Sequence, residues 1–265
     1  MTDSPLTPQR PHDWAQRMKE DWNARAEQNA MHYILTKRAD WTLQEFLATG
    51  ERDVARFVDP FLAQYPSVPR GSVLELGCGL GRLSAALATR FSQVDAIDVS
   101  EVMVQKAAEL HAALSHVKFV ANNGKDLSGF PSDEYDFVFS YIVLQHIPDP
   151  DIILGYVREF GRVLRTGGLF LFQVSNNEPQ GHKAYVRRWE HRRQAYRERD
   201  ELIPFEDYNH ALLADKVLTF ETIIQTPVGL EETFSVLRES GMRVDSLSGE
   251  GTDLLWLAGQ KEAAS

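Results

Sequence analysis

The sequence predicts an α/β sandwich: a seven-stranded, mostly parallel sheet with helices on both faces and one antiparallel edge strand. Three observations predict it. Short apolar runs alternate with amphipathic stretches across residues 72–175. Three glycines turn directly out of the first of these runs into a helical one. The last two apolar runs are joined only by Ser248–Gly251 (SGEG), a turn short enough for antiparallel neighbours but not for a crossover.

The elements follow in order. Ser72–Leu76 (SVLEL) reads as a buried strand ending at Gly77, and Leu83–Thr89 as a helix whose Leu83, Ala85, Ala86 and Leu87 pack closely. Gln93–Val99 is the second strand. Ser100 then N-caps a helix from Glu101 to about Leu114. Val117–Ala121 and Asp136–Ser140 are the third and fourth strands. Asp151–Leu164 repeats Ile153, Leu154, Val157, Phe160, Val163 and Leu164 at helical spacing. Gly168–Val174 (GLFLFQV) is nearly continuous in its apolar character, as a strand covered on both faces should be. Leu230–Ser240 is a helix, and Met242–Leu247 and Asp253–Ala258 form the closing hairpin.

Two segments lie outside this core. Residues 1–65 read as an N-terminal helical extension, with Trp14, Met18, Trp22 and Ala26 at helical spacing, followed by Tyr33, Ile34 and Trp41. Residues 66–175 and 229–265 form the core. Residues 176–228 are an inserted helical segment between the fifth and sixth strands. Both extra segments are expected to cover the edge where loops leave the strand C-termini.

Composition sets the outer limits. The chain has 265 residues, 43% hydrophobic and 25% charged, proportions that exclude a disordered or collagen-like protein. No run of eighteen apolar residues offers a spanning helix, and MTDSPLTPQRPHDW lacks an apolar signal core. Cys78 is the single cysteine, so no intramolecular disulfide or cysteine metal cluster can form. The reading is a soluble cytoplasmic protein without a metal or a membrane partner. A net charge of −10 disfavours nucleic acid and anionic lipid. Basic charge is local: Lys183–Arg199 holds seven Lys and Arg against two Glu, and the 21 basic and 36 acidic groups elsewhere leave −15.

The chemistry concentrates in Val73–Leu83, VLELGCGLGRL. Gly77, Gly79 and Gly81 permit positive φ and a close ligand approach to the backbone, or simply a tight turn. A dinucleotide fingerprint would need glycine or alanine at position 82, where this chain has Arg82. Asp98 ends the second strand, seventeen positions past Gly81. A carboxylate there accepts from a ribose diol; the competing use, capping the next helix, is already filled by Ser100. A nucleoside without a pyrophosphate fits best.

With these residues in place, the sequence resembles the class I S-adenosylmethionine-dependent methyltransferases, in particular their small-molecule group. Four segments carry the resemblance: ELGCGLG with Asp98, FVANNGKDL (Phe119–Leu127), YDFVFSYIVLQHI (Tyr135–Ile147) and RVLRTGGLFLFQV (Arg162–Val174). It implies the Rossmann-like methyltransferase fold and S-adenosylmethionine as cofactor. Gly77, Gly79 and Gly81, with Glu75 just before them, would line the methionine part, and Asp98 would hold the ribose. Val99 and Met103 would pack on adenine. Asn123, followed by Gly124, stands where the family usually has the Asp that accepts from the adenine amino group, with Asp126 as the competitor. Ser140 and Tyr141 would face the amino-acid end and the reacting methyl group. An N-terminal helix would fold over the site, bringing Trp22, Arg25, Asn29 and Tyr33 towards it.

The sulfonium already activates the methyl group, so positioning an acceptor and excluding water supply most of the rate. An O or N atom of a small-molecule metabolite is the expected acceptor. His146 is the expected base if a proton must leave, with a structural role in its loop as the alternative; Glu206, Asp207 and His210 are further bases. In the insertion, Tyr185, Arg188 and Trp189 would wall and grip an acidic acceptor, or belong to a solvated amphipathic helix. Cys78 fills space beneath the cofactor or serves as a thiol. Two rival functions remain: a catalytically silent cofactor-binding or assembly protein, and an RNA-directed methyltransferase.

Overall fold

The structure is a computed structural model that describes residues 13–36, 38–175, 226, 228–249 and 254–263. Its sheet comprises β1 (Ser72–Leu76), β2 (Gln93–Asp98), β3 (Val117–Ala121), β4 (Tyr135–Ser140), β5 (Leu164–Ser175), β6 (Met242–Ser248) and β7 (Leu254–Lys261). The spatial order is β3-β2-β1-β4-β5-β7-β6. The first five strands are mutually parallel. The reversed strand expected at this side is β7, which runs antiparallel between β5 and β6. The order reverses direction between β1 and β4, which opens a crevice beyond their C-terminal ends.

Alternate residues of each strand face opposite sides, and each side has its own core. Leu74, Leu76, Val138, Phe170 and Phe172 join Ile153, Tyr156, Val157 and Phe160 of α6 (Pro150–Val163) on one face. Val73, Phe137, Phe139, Leu169 and Leu171 meet Leu83 and Leu87 of α4 (Arg82–Leu87) on the other. This explains the unbroken apolar runs of β4 and β5, which need both faces covered.

Helix α5 spans Glu101–Leu110, with Ser100 Oγ accepting from the Met103 N–H as its cap; it stops four residues short of the expected Leu114. The strand β5 starts at Leu164, earlier than the glycine pair suggested, across a register shift opposite Tyr135 and Phe137. Near the C-terminus, α7 (Leu230–Glu239) precedes the hairpin. No helix among the described residues is long and apolar enough to cross a membrane.

The N-terminal extension is helical as expected. It comprises α1 (Trp14–Ile34), α2 (Leu43–Asp53), a π-helical turn at Val54–Val58 and α3 (Asp59–Leu62). Helix α1 is broken at Asn29, whose φ of −164° and ψ of 82° are extended rather than helical. Thr42 and Glu45 form a reciprocal capping box at the start of α2. That helix lies tightly on α4. A Cβ on Gly50 would fall 1.9 Å from the Arg82 carbonyl oxygen, so only glycine allows the approach. Gly50→Ala is therefore expected to destabilise the protein by about 2–3 kcal/mol through overpacking, read as a lower urea midpoint with an unchanged slope.

Candidate functional site

The glycine loop leaves β1 and turns back immediately. The N–H groups of Gly77 and Cys78 both donate to the Ile97 carbonyl of β2, at 2.7 and 2.9 Å. Gly77 and Gly79 have φ of +81° and +52°, a left-handed backbone that disfavours side chains. Space is equally restrictive: a Cβ at Gly77 would lie 2.1 Å from Val143, and one at Gly79 2.7 Å from Ile34 of α1. Cys78 is buried, and burial pushes its thiol well above the ordinary value. It is an inert space-filler, the first of the two readings the sequence left open.

Asp98 sits where β2 ends, against this loop. One carboxylate oxygen accepts from the Gly79 N–H and the other from the Ser100 N–H, each at 2.9 Å. Burial raises its pKa, opposed by those backbone donors. Each oxygen retains a second lone pair for a ligand hydroxyl. Below the loop, Glu75 is only 1% exposed. Its Oε2 accepts from Ser84 Oγ at 2.6 Å, while Oε1 has no partner among the described residues. Burial pushes this carboxyl up to about 7, against the opposing pull of Ser84 and Arg82.

The other expected residues divide into those that gather here and those engaged elsewhere. Val99 meets Gly124: a Cβ on Gly124 would lie 3.0 Å from Val99 and 3.2 Å from Ala15 of α1. Met103 is buried with Ala26, Ala30 and Leu80, joining α1 to the loop. Asn123 is exposed, and its Oδ1 accepts from the N–H groups of Lys125 and Asp126 while its amide donates to Asp126. The loop geometry absorbs its side chain. Ser140 is also turned inward, with Oγ donating to the Leu76 carbonyl; it ties β4 to β1. Tyr141 leans away, its ring on Phe57 and Trp256.

Helix α1 covers the loop, held by polar contacts the sequence did not suggest. Asn23 Oδ1 accepts from Ser100 Oγ at 2.8 Å and from the Val102 N–H at 3.3 Å. Lys106 Nζ donates to the Ala26 carbonyl at 2.6 Å. Trp22 presents its ring edge-on to His146, with centroids 6.2 Å apart, and the Arg25 guanidinium stacks over Trp22 at 4.7 Å. Burial lowers the Arg25 pKa to about 10. The Tyr33 hydroxyl donates to Gln28 within α1 itself. His146 closes the 3₁₀ turn Leu144–His146 beyond β4. Tyr185, Arg188, Trp189, Glu206, Asp207 and His210 lie outside the described residues. Among the described residues, no cluster of His, Cys, Asp and Glu is arranged to hold a metal.

Residues 73–168 match the family model described as "Methyltransferase domain". This stretch is a methyltransferase domain. The chain is 33% identical over 121 residues to a ubiquinone biosynthesis O-methyltransferase of Xanthomonas campestris pv. campestris, covering 45% of this chain and 49% of that protein. A protein of the same name from Pseudomonas savastanoi pv. phaseolicola is 28% identical over 167 residues, 62% of this chain and 60% of the other. The chain thus spans about half the length of the first of these curated relatives. The fold is shared with solved structures. Magnesium protoporphyrin IX methyltransferase from Synechocystis PCC 6803 with bound SAH superposes with a TM-score of 0.61 at 17% identity, covering 94% of this chain and all of that one. A SAM-dependent methyltransferase of Leishmania major gives 0.59 at 15% identity over 94% and 83% of the two chains.

Glu75 gives this methyltransferase domain a pH-dependent stability. Its folded pKa of about 7 lies above the ordinary 4.5, so the folded state binds the extra proton between those values. The resulting stabilisation is complete below about 4.5 and is lost as pH rises through about 7. Urea midpoints are expected to fall over that window by up to about 3 kcal/mol in stability, and Glu75→Gln should remove this decline.

Proposed function

We propose that the protein transfers a methyl group from S-adenosylmethionine to an O or N atom of a small molecule. The observation that carries this reading is Asp98, a carboxylate fixed by two backbone N–H groups at the mouth of the glycine turn. The unfilled lone pairs of Asp98 suit the vicinal hydroxyls of a ribose. The orphaned Glu75 Oε1 suits the ammonium end of the same molecule. Arg82, buried and paired with Asp53 at 2.5 Å, stands where a dinucleotide turn would need glycine or alanine, which disfavours a pyrophosphate.

Bound S-adenosylmethionine supplies a methyl group activated by its sulfonium. The chain supplies placement. Gly77 and Gly79 let the backbone approach the ligand, Asp98 fixes the sugar, and Val99 packs beside Gly124 near the adenine end. Helix α1 excludes water from above, with Ile34 over Gly79 and Trp22 beside His146. His146 stands at the exit of β4, where it can take a proton from a hydroxyl or ammonium acceptor. An acidic acceptor and an inserted lid at 176–228 belong to this proposal, as does RNA as the disfavoured substrate of an acidic chain.

A second reading, binding without transfer, draws on Trp22 closing against His146. The two separate in one assay. Incubating the protein with methyl-tritiated S-adenosylmethionine and metabolite extracts should move label into a small-molecule fraction; binding without any labelled product would establish the second reading. Asp98→Ala should weaken S-adenosylhomocysteine binding by about 1–3 kcal/mol, as charge-assisted hydrogen bonds are lost. Isothermal calorimetry reads this directly, and unchanged affinity would remove Asp98 from the ribose. His146→Ala should lower kcat by about 10²-fold without changing cofactor affinity if it is the base; full turnover would return it to a structural role.

A further inference from the structure

Beside the glycine loop lies an aromatic wall that the cofactor assignment leaves unused. Tyr141, at the exit of β4, stacks on Trp256 of β7 with centroids 5.1 Å apart and planes inclined by 18°. Phe57 leans on both, at 5.3 and 4.9 Å. Trp256 pairs with Gln173 near the C-terminal end of β5, so the wall belongs to the same sheet edge as Asp98. A side chain links it to the loop: the guanidinium of Arg82, the residue after Gly81, lies 5.9 Å from the Tyr141 ring.

Three features set this cluster apart from ordinary core packing. All three rings remain half-buried, although each could be covered completely in a core. The backbone that presents them is irregular at two places. Ile142 has φ of +58°, strained for a β-branched residue, and this turn directs Tyr141 to the wall while Val143 goes to Gly77. Phe57 sits on the π-helical turn Val54–Val58, a rare form that is frequent at functional sites. The polar groups at the rim are also uncommitted. Arg56 stacks over Phe57 at 5.0 Å and is exposed, with no carboxylate partner among the described residues. Neighbouring Arg82 and Arg90 are both paired. The Tyr141 hydroxyl makes no hydrogen bond among the described residues, and burial keeps it protonated as a donor.

We infer that Phe57, Tyr141 and Trp256 form the acceptor subsite, and that its occupant is a planar aromatic ring carrying an anionic group, stacked on the wall and paired with Arg56. A flat ring gains offset or edge-on aromatic contact that a puckered ring of equal size cannot. The exposed guanidinium selects the anion. This deepens the methyl-transfer proposal and rests on it for the word acceptor.

The test measures binding of 4-hydroxybenzoate, cyclohexanecarboxylate and phenol by saturation-transfer NMR, with S-adenosylhomocysteine binding read separately by calorimetry. Wild type should prefer 4-hydroxybenzoate over cyclohexanecarboxylate by about tenfold. Arg56→Met should weaken 4-hydroxybenzoate by about tenfold and phenol by less than about twofold. Trp256→Leu should weaken both aromatic ligands by about tenfold, with calorimetry confirming a folded cofactor site. Equal binding of the two carboxylates, unchanged 4-hydroxybenzoate affinity in Arg56→Met, or no aromatic binding by a protein that takes S-adenosylhomocysteine would each overturn the subsite. Aromatic binding with the stated variant effects, but no S-adenosylhomocysteine binding, would uphold the subsite and defeat the methyl-transfer reading instead.

Discussion

The carboxylate of Asp98 is the constraint on which the rest of the site depends. It ends β2, and its two oxygens accept from Gly79 in the glycine loop and Ser100 at the start of α5. Rotating it away would orphan two backbone donors in a buried place, a cost of several kcal/mol in all. Loop, strand and helix are therefore one rigid unit. The same unit is stitched by Gly77 and Cys78 to the Ile97 carbonyl, so the loop cannot shift without breaking the end of β2.

This rigid floor is electrically uneven. Glu75 and Asp98 lie under and beside the loop with raised pKa values, each dominated by burial. Two desolvated carboxyls in one place favour a cation near them, and a sulfonium nucleoside with an ammonium end is such a ligand. On the far side of Arg82 the character changes to aromatic rings and the exposed Arg56 guanidinium. The two halves meet at the switch between β1 and β4, where the sheet order reverses. A cationic donor on one side and an anionic planar acceptor on the other would attract each other across that switch.

The sheet was legible in the sequence because strands covered on both faces carry consecutive apolar residues, as β4 does at Phe137–Phe139 and β5 at Leu169–Phe172. The glycine loop and Asp98 were legible for a different reason: three alternate glycines after a strand and a carboxylate at the end of the next leave few alternatives. Sequence reasoning reached less far where function rests on contacts between distant segments. Nothing in the spacing of Asn23 announces that it caps α5, and Gly50 reads as an ordinary helix glycine until Arg82 is seen against it. Asn123 was assigned by position after β3, yet its side chain is spent on the turn at Lys125 and Asp126. Tyr141 was placed at the loop by its position too; the left-handed Ile142 turns it towards Trp256, a residue more than a hundred positions away. Phe57 and Trp256 carry no motif at all.

The central claim is that a sulfonium nucleoside sits in the notch between the glycine turn and the β2 carboxylate. A crystal structure of the protein grown with S-adenosylhomocysteine tests it most directly. The account predicts the ribose hydroxyls on Asp98 and the amino-acid end over Gly77 and Gly79. Density for the ligand at any other site, or a ribose turned away from Asp98, would contradict it.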